Sequence, residues 1–173
     1  MDMIELKKSI DKCSNEGKRI FAIVATFGTT VRGAIDQIDN ISRLCNEKNI
    51  WLHIDGSIGG IFSISNLPIN GVINVKLANS ITINPQKILG ITKTSSILIV
   101  SNIEILKNTF STGLPYVSTE NNFLNRGELG IQGSRPAEII KLWLGLRFLG
   151  MRGIENVSVS YTHLTLPTND VVG

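Results

Sequence analysis

Ile50-Trp51-Leu52-His53-Ile54-Asp55-Gly56-Ser57-Ile58-Gly59-Gly60 is an apolar run of strand length that meets an acid and then passes into small residues. Such a run, bounded by turn residues, reads as a core strand over Ile50 to Ile54. Before it, Ile38, Ile41, Leu44 and Cys45 recur at helical spacing up to about Asn49, with Asp36 placed to cap that helix. A Gly/Thr turn over Phe27 to Gly33 separates this helix from Arg19 to Ala25, a second continuous apolar run of strand length. Met1 to Asn15 reads as a helix, with Ile4, Leu6 and Ile10 apolar among charges and Gly17 ending it.

After the opening stretch, Ser80 to Ile83 reads as a strand halted by Asn84-Pro85. Ser95 to Val100 reads as another, and Asn102 to Phe110 as a short helix. Ser111 to Gly127 is polar and reads as a long loop, a length usually reserved for function or disorder. Ala137 to Leu149, entered through Pro136 and closed by Gly150, is helical and nearly apolar all round, which predicts burial. Strands alternating with helices predict an α/β fold, a mostly parallel sheet with helices on both faces. From Val157 the helical period is abandoned, and Ser160 to Thr168 resembles translated adaptor sequence. The expected division is a domain over 1–156 and a non-native or disordered tail over 157–173.

Composition narrows the function classes. A chain of 173 residues with 42% hydrophobic and 18% charged residues has material for one ordinary core and is not a disordered segment. The net charge of +3 is spread among acids, as in Glu5-Leu6-Lys7-Lys8, so no nucleic-acid face is expected. The longest purely apolar runs, Ile20 to Ala25 and Ile97 to Val100, fall far below the roughly 20 residues a bilayer needs, so no membrane span is expected. Cys13 and Cys45 lack CxxC spacing and read as free thiols of a reducing, cytoplasmic protein.

Ligand sites of parallel α/β sheets lie beyond the carboxyl ends of the strands. Thr29 and Thr30 follow the first strand, Asp55 the second, and Lys87 the third, all on one sheet edge. Singly, each has a plainer reading: a helix-capping acid, a solvated turn lysine, ordinary turn glycines. Neither G-x-G-x-x-G nor G-x-x-x-x-G-K-[ST] occurs.

Together they form ordered blocks: Phe27-Gly28-Thr29-Thr30, then Trp51 to Gly60, then Ser80-Ile81-Thr82-Ile83-Asn84-Pro85-Gln86-Lys87. Gly133-Ser134-Arg135 follows, leading into Lys141-Leu142-Trp143. Thr30 and Asp55 are 25 residues apart, and Asp55 and Lys87 are 32 apart. From about Phe21 to Glu155 the chain resembles the group II pyridoxal-phosphate-dependent amino-acid decarboxylases, the family of glutamate, aromatic amino-acid and diaminobutyrate decarboxylases.

The resemblance implies part of the large domain of a fold-type I enzyme, with pyridoxal 5′-phosphate as cofactor, an amino acid as substrate and carboxy-lyase activity. Lys87 would hold the cofactor as an internal Schiff base, in a strand-end pocket that keeps water away and favours the neutral amine. Asp55 would keep the cofactor's ring nitrogen protonated, which lets the ring accept electrons. Thr30 would give a hydroxyl to the cofactor network, and Asn84 and Gln86 would help hold the phosphate. Arg135 would pair with the substrate carboxylate through its planar fork. His53 shares a strand face with Asp55 and either approaches the cofactor or is a hydrogen-bonded structural histidine; the structural role is favoured.

Two departures stand out. Gln86 occupies the place of the family's usual histidine, so it can donate a hydrogen bond but cannot titrate. Gly56-Ser57 replaces the usual Ala-Ala, which loosens the packing against the ring. The resemblance also implies a homodimer whose site draws on both subunits. It places a stacking side chain upstream of this chain and a smaller domain downstream, so this is an internal fragment expected to be inactive alone. Other readings stay open. One is another pyridoxal-phosphate lyase or a desulfurase-like enzyme, since lysine plus aspartate serves all of them. The other is a non-catalytic remnant that acts only in subunit association.

Overall fold

A computed structural model describes residues 1–64, 75–92, 96–112, 126–134 and 136–165. In order they form α1 (Met3–Asn15), β1 (Ala22–Thr26), α2 (Ile38–Lys48), β2 (Trp51–Asp55), β3 (Ser80–Ile83), α3 (Pro85–Ile88), β4 (Ile97–Val100), α4 (Ile103–Phe110) and α5 (Ile139–Thr165), with short 3-10 turns between. The strands make one four-stranded sheet in the order β1-β2-β3-β4. β1 runs parallel to β2, with Ala22 opposite Trp51 and Thr26 opposite Asp55. β2 runs parallel to β3, with His53 opposite Ser80 and Asp55 opposite Thr82. The α/β architecture expected from the sequence is the one observed.

Period-two alternation sorts these strands into two faces. Ile23 and Ala25, Leu52 and Ile54, and Ile81 and Ile83 are buried in a core shared with Ile10 of α1, Ile38, Ile41, Leu44 and Cys45 of α2, and Ile154 of α5. The other face carries Trp51, His53 and Asp55 of β2 with Ser80 and Thr82 of β3, and it is predominantly polar. The run Ile20 to Ala25 is therefore not core throughout. Phe21 is 82% exposed and Val24, on the face opposite Ile23, 54%.

Three local expectations are corrected. Asp36 does not cap α2. Gln37 stands at the cap without a side-chain bond, while the Asp36 carboxylate accepts from the Thr26 N–H at 2.8 Å. That bond holds the end of β1 instead. The helix beginning near Ala137 is not buried all round: Leu142 is buried, yet Trp143 is 59% and Phe148 90% exposed. Gly150 does not close it either. It interrupts the helical backbone at φ 58°, and a second helical stretch continues to Thr165. Ile154 and Ser158 are buried, so packing carries the helix across the boundary expected at 156. Residues 166–173 lie outside the described part.

The glycines after Asp55 do more than turn the chain. The Gly59 N–H donates to the Phe27 carbonyl at 2.9 Å, and a Cβ on Gly59 would lie 2.5 Å from that same oxygen. Gly28 meets this segment from the other side at φ 88°. Gly59→Ala is expected to destabilise the fold by about 1–3 kcal/mol through overpacking. A lowered urea-unfolding midpoint would register it, and an unmoved midpoint would show that the two segments can separate without cost.

Val100–Ala137 is a compact unit of its own. In it, Asn102 caps α4 by accepting from the Glu104 N–H at 3.0 Å. The Glu128 carboxylate accepts from the N–H and hydroxyl of Thr112, at 3.3 and 3.2 Å. Most of the expected loop Ser111 to Gly127, including 113–125, lies outside the described residues.

Candidate active site

β2 and β3 deliver the site's two charged groups. Asp55 is the last residue of β2, and the Asn84-Pro85 pair ends β3 and opens α3, which carries Lys87. Asn84 stands before the proline in extended conformation, as the residue preceding a proline prefers. Two backbone bonds knit the edge together. The Phe27 N–H donates to the Asp55 carbonyl at 2.8 Å, and the Asn84 N–H donates to the Ser57 carbonyl at 3.3 Å.

Around the Asp55 carboxylate, the Ser57 hydroxyl donates to Oδ1 at 2.6 Å and the Ser57 N–H donates to the same oxygen at 3.1 Å. The Ser57 hydroxyl is the main reason that Asp55 titrates below the usual carboxylate range. Partial burial opposes it, and the Ser57 N–H, the charge of Lys87 and, at the low pH where it is protonated, His53 add to it. A carboxyl whose folded pKa lies below its unfolded one contributes stability that is full above the ordinary value. That stability is lost as pH falls through the lower, folded value.

His53 is taken up by β3. Its Nδ1 lies 2.8 Å from Ser80 Oγ and its Nε2 lies 3.2 Å from Thr82 Oγ1. Burial pushes its pKa down against the pull of Asp55, so the ring is neutral at neutral pH, with one nitrogen donating and the other accepting. The Trp51 indole, which can only donate, gives its proton to Ser80 Oγ at 2.9 Å. Every group is satisfied when the Ser80 hydroxyl donates to Nδ1 and Nε2–H donates to Thr82. His53 is thereby braced across two strands, the role its strand face left open.

The other candidates are placed less tightly. Thr30 is exposed in the turn after β1, and among the described interactions none links it to Asp55 or Lys87. Lys87 is itself exposed, so the water-excluding pocket expected around it is not formed by the described residues. Arg135 lies outside them. Asn84 Oδ1 and Gln86 Oε1 are buried without a hydrogen-bond partner. Buried side-chain amides are normally paired, and orphaned ones beside Lys87 fit a polar group supplied from outside the chain. Pyridoxal 5′-phosphate fits the amine and the ionised acid, one for its aldehyde and the other for its ring nitrogen. The two orphaned amide oxygens accept hydrogen bonds and call for a donor, so they do not themselves match its phosphate oxygens.

Sequence reasoning gave no site role to Ser80, Thr82 or Trp51, and read Ser57 only as part of a loosened Gly-Ser. The hydroxyls of Ser80 and Thr82 were signalled by the alternation Ser80-Ile81-Thr82-Ile83 opposite His53 and Asp55, but only the register shows which residues meet.

In a parallel α/β sheet the ligand-binding edge lies beyond the carboxyl ends of the strands, where Asp55 and Lys87 stand. The chain belongs to the pyridoxal-dependent decarboxylase family, whose conserved-domain model matches residues 1–170. It is 33% identical over 157 residues to acidic amino acid decarboxylase GADL1 of Bos taurus, covering 87% of this chain and 30% of that one. It is 33% identical over 150 residues to the aromatic-L-amino-acid decarboxylase of Bacillus atrophaeus, covering 84% of this chain and 31% of that one. Its structure superposes on crystalline mouse CSAD with a TM-score of 0.82 at 27% identity, over 95% of this chain and 35% of that one. The chain thus spans about a third of the length of these relatives.

Proposed function

We propose that this chain is the lysine- and aspartate-bearing part of a pyridoxal-phosphate-dependent amino-acid decarboxylase. The observation that supports the reading is the placement of Asp55 at the end of β2 and of Lys87 on α3, directly after the end of the adjacent, parallel β3. Pyridoxal phosphate, when bound, supplies the electron sink that accepts the pair left by departing carbon dioxide. Lys87 would attach the cofactor, Asp55 would hold a proton at the ring nitrogen, and Asn84 and Gln86 would reach the phosphate only through their amide N–H groups. His53 holds the sheet edge beneath Asp55, Thr30 offers a hydroxyl, and Arg135 takes the substrate carboxylate. The substrate is an amino acid. Cytoplasmic residence completes the proposal.

Subunit association is part of the reading. Ile139, Ile140, Trp143, Leu144 and Phe148 leave a wide apolar face of α5 exposed, and a contiguous face of that kind marks an interaction surface. A homodimer would cover it.

The test is to mix the 173-residue chain with pyridoxal phosphate and follow visible absorbance, carbon dioxide release from a panel of amino acids, and oligomeric state. Association is expected, with carbon dioxide release at background, because the described residues leave Lys87 open to water. The longer enzyme that contains this stretch is expected to decarboxylate. A longer enzyme that binds pyridoxal phosphate yet releases carbon dioxide from no amino acid would overturn the proposal. Steady turnover by the 173-residue chain would show that this stretch already holds a complete site.

A further inference from the structure

Ser57 touches both limbs of the site. Its hydroxyl and its N–H meet Asp55 Oδ1 at 2.6 and 3.1 Å, while its carbonyl accepts from the Asn84 N–H at 3.3 Å, three residues before Lys87. Both bonds to the carboxylate fall on one oxygen. A two-point grip of this kind fixes the plane of the carboxylate and leaves Oδ2 for a different partner. The chain on either side of Ser57 is held as well: the Gly56 N–H donates to the Ile54 carbonyl at 3.0 Å and the Gly60 N–H to the Gly56 carbonyl at 2.8 Å. The turn therefore holds the Ser57 N–H against Asp55, while the hydroxyl is brought to the same oxygen by its χ1 rotamer.

We infer that Ser57 is a positioning residue for this site, orienting the Asp55 carboxylate toward the cofactor's ring nitrogen while tying it to the turn that presents Lys87. What read in the sequence as a loosened Gly-Ser is a tether. The inference deepens the reading of Asp55 as the ring nitrogen's partner and rests on it. Ser57 itself touches no reacting atom. Lys87 of α3, and His53 of β2 once protonated at the low pH where Asp55 titrates, also lower its pKa, each less than the Ser57 hydroxyl does.

Carboxyl carbon NMR on the cofactor-free 173-residue chain tests the tether, with the Asp55 signal assigned through Asp55→Asn. Ser57→Ala is expected to shift the Asp55 titration upward, and Ser57→Thr, which keeps the hydroxyl, to restore it. An unmoved titration in Ser57→Ala, or an equal shift in Ser57→Thr, would overturn the inference. Should Ser57→Ala fail to fold, Ser57→Cys takes its place: a weak donor of similar size is expected to give the upward shift, and its absence counts against the tether. In the enzyme loaded with nitrogen-15 pyridoxal phosphate, the ring-nitrogen signal separates the two claims. If Asp55→Asn leaves ring protonation unchanged, the reading of Asp55 fails. If Asp55→Asn changes it and Ser57→Ala does not, the role of Ser57 fails alone.

Discussion

Replacing Lys87 with alanine is expected to abolish covalent attachment of pyridoxal phosphate to the full-length enzyme. The visible band of the attached cofactor and its trapping by borohydride should both disappear. Lys87 follows the turn that ends β3 and is the lysine whose charge reaches Asp55. An exposed lysine on a helix surface is otherwise indifferent to truncation, so a stability loss is not expected and the unfolding midpoint should stay within about 0.5 kcal/mol of wild type. The combination of an intact fold with a lost chromophore distinguishes a chemical role from a structural one. A Lys87→Ala protein that still yields a borohydride-reduced adduct would reassign the attachment to another amine.

Asp55→Asn is expected to lower turnover by roughly 10²–10⁴, the range typical of removing a positioned proton-controlling group. Asparagine keeps the shape and keeps an acceptor for the Ser57 hydroxyl and N–H, so the loop from Asp55 to Ser57 should survive. What disappears is the negative charge. Cofactor affinity should fall less than turnover, because the amide and lysine contacts remain. Acid should not mimic the substitution: with its folded pKa held below the carboxylate range, Asp55 stays ionised from pH 7 to pH 5. Near-normal turnover in the asparagine variant would remove Asp55 from the chemistry.

The elements that announced themselves in sequence were those whose local signal and tertiary environment agree. β2 is the plainest case: Leu52 and Ile54 fill the core, while His53 and Asp55 share the other face. The helix from Ile139 shows the opposite. Its composition is apolar on every side, and periodicity cannot say which side meets a neighbour, so Leu142 is buried and Phe148 is not. The continuation beyond Val157 was invisible because a helix docked through Ile154 and Ser158 needs little amphipathic pattern of its own. Asp36 misled through its position alone, since an acid before a helix can cap it or can hold a neighbouring strand, and the Thr26 N–H wins here. The placement of Asp55 and Lys87 just beyond two strand ends was legible because strand ends are legible. Their tether through Ser57 was not, because a bond across two residues of loop depends on where one hydroxyl points.

The alternation along β2 has a consequence for how errors in folding are exposed. Leu52 and Ile54 face the core from the same five residues that carry His53 and Asp55 outward. A slip of one position in pairing would exchange the two sets, sending an aspartate into the aliphatic interior and two aliphatic side chains out. An unpaired carboxylate buried in such an interior costs several kcal/mol, comparable with a domain's whole margin of stability. Misregistered chains therefore cannot accumulate as stable, silent impostors. They unfold, and in a cell they are open to proteases and chaperones. Quality control reads the same strand that carries the candidate site, so a molecule that persists in folded form has its aspartate at the sheet edge.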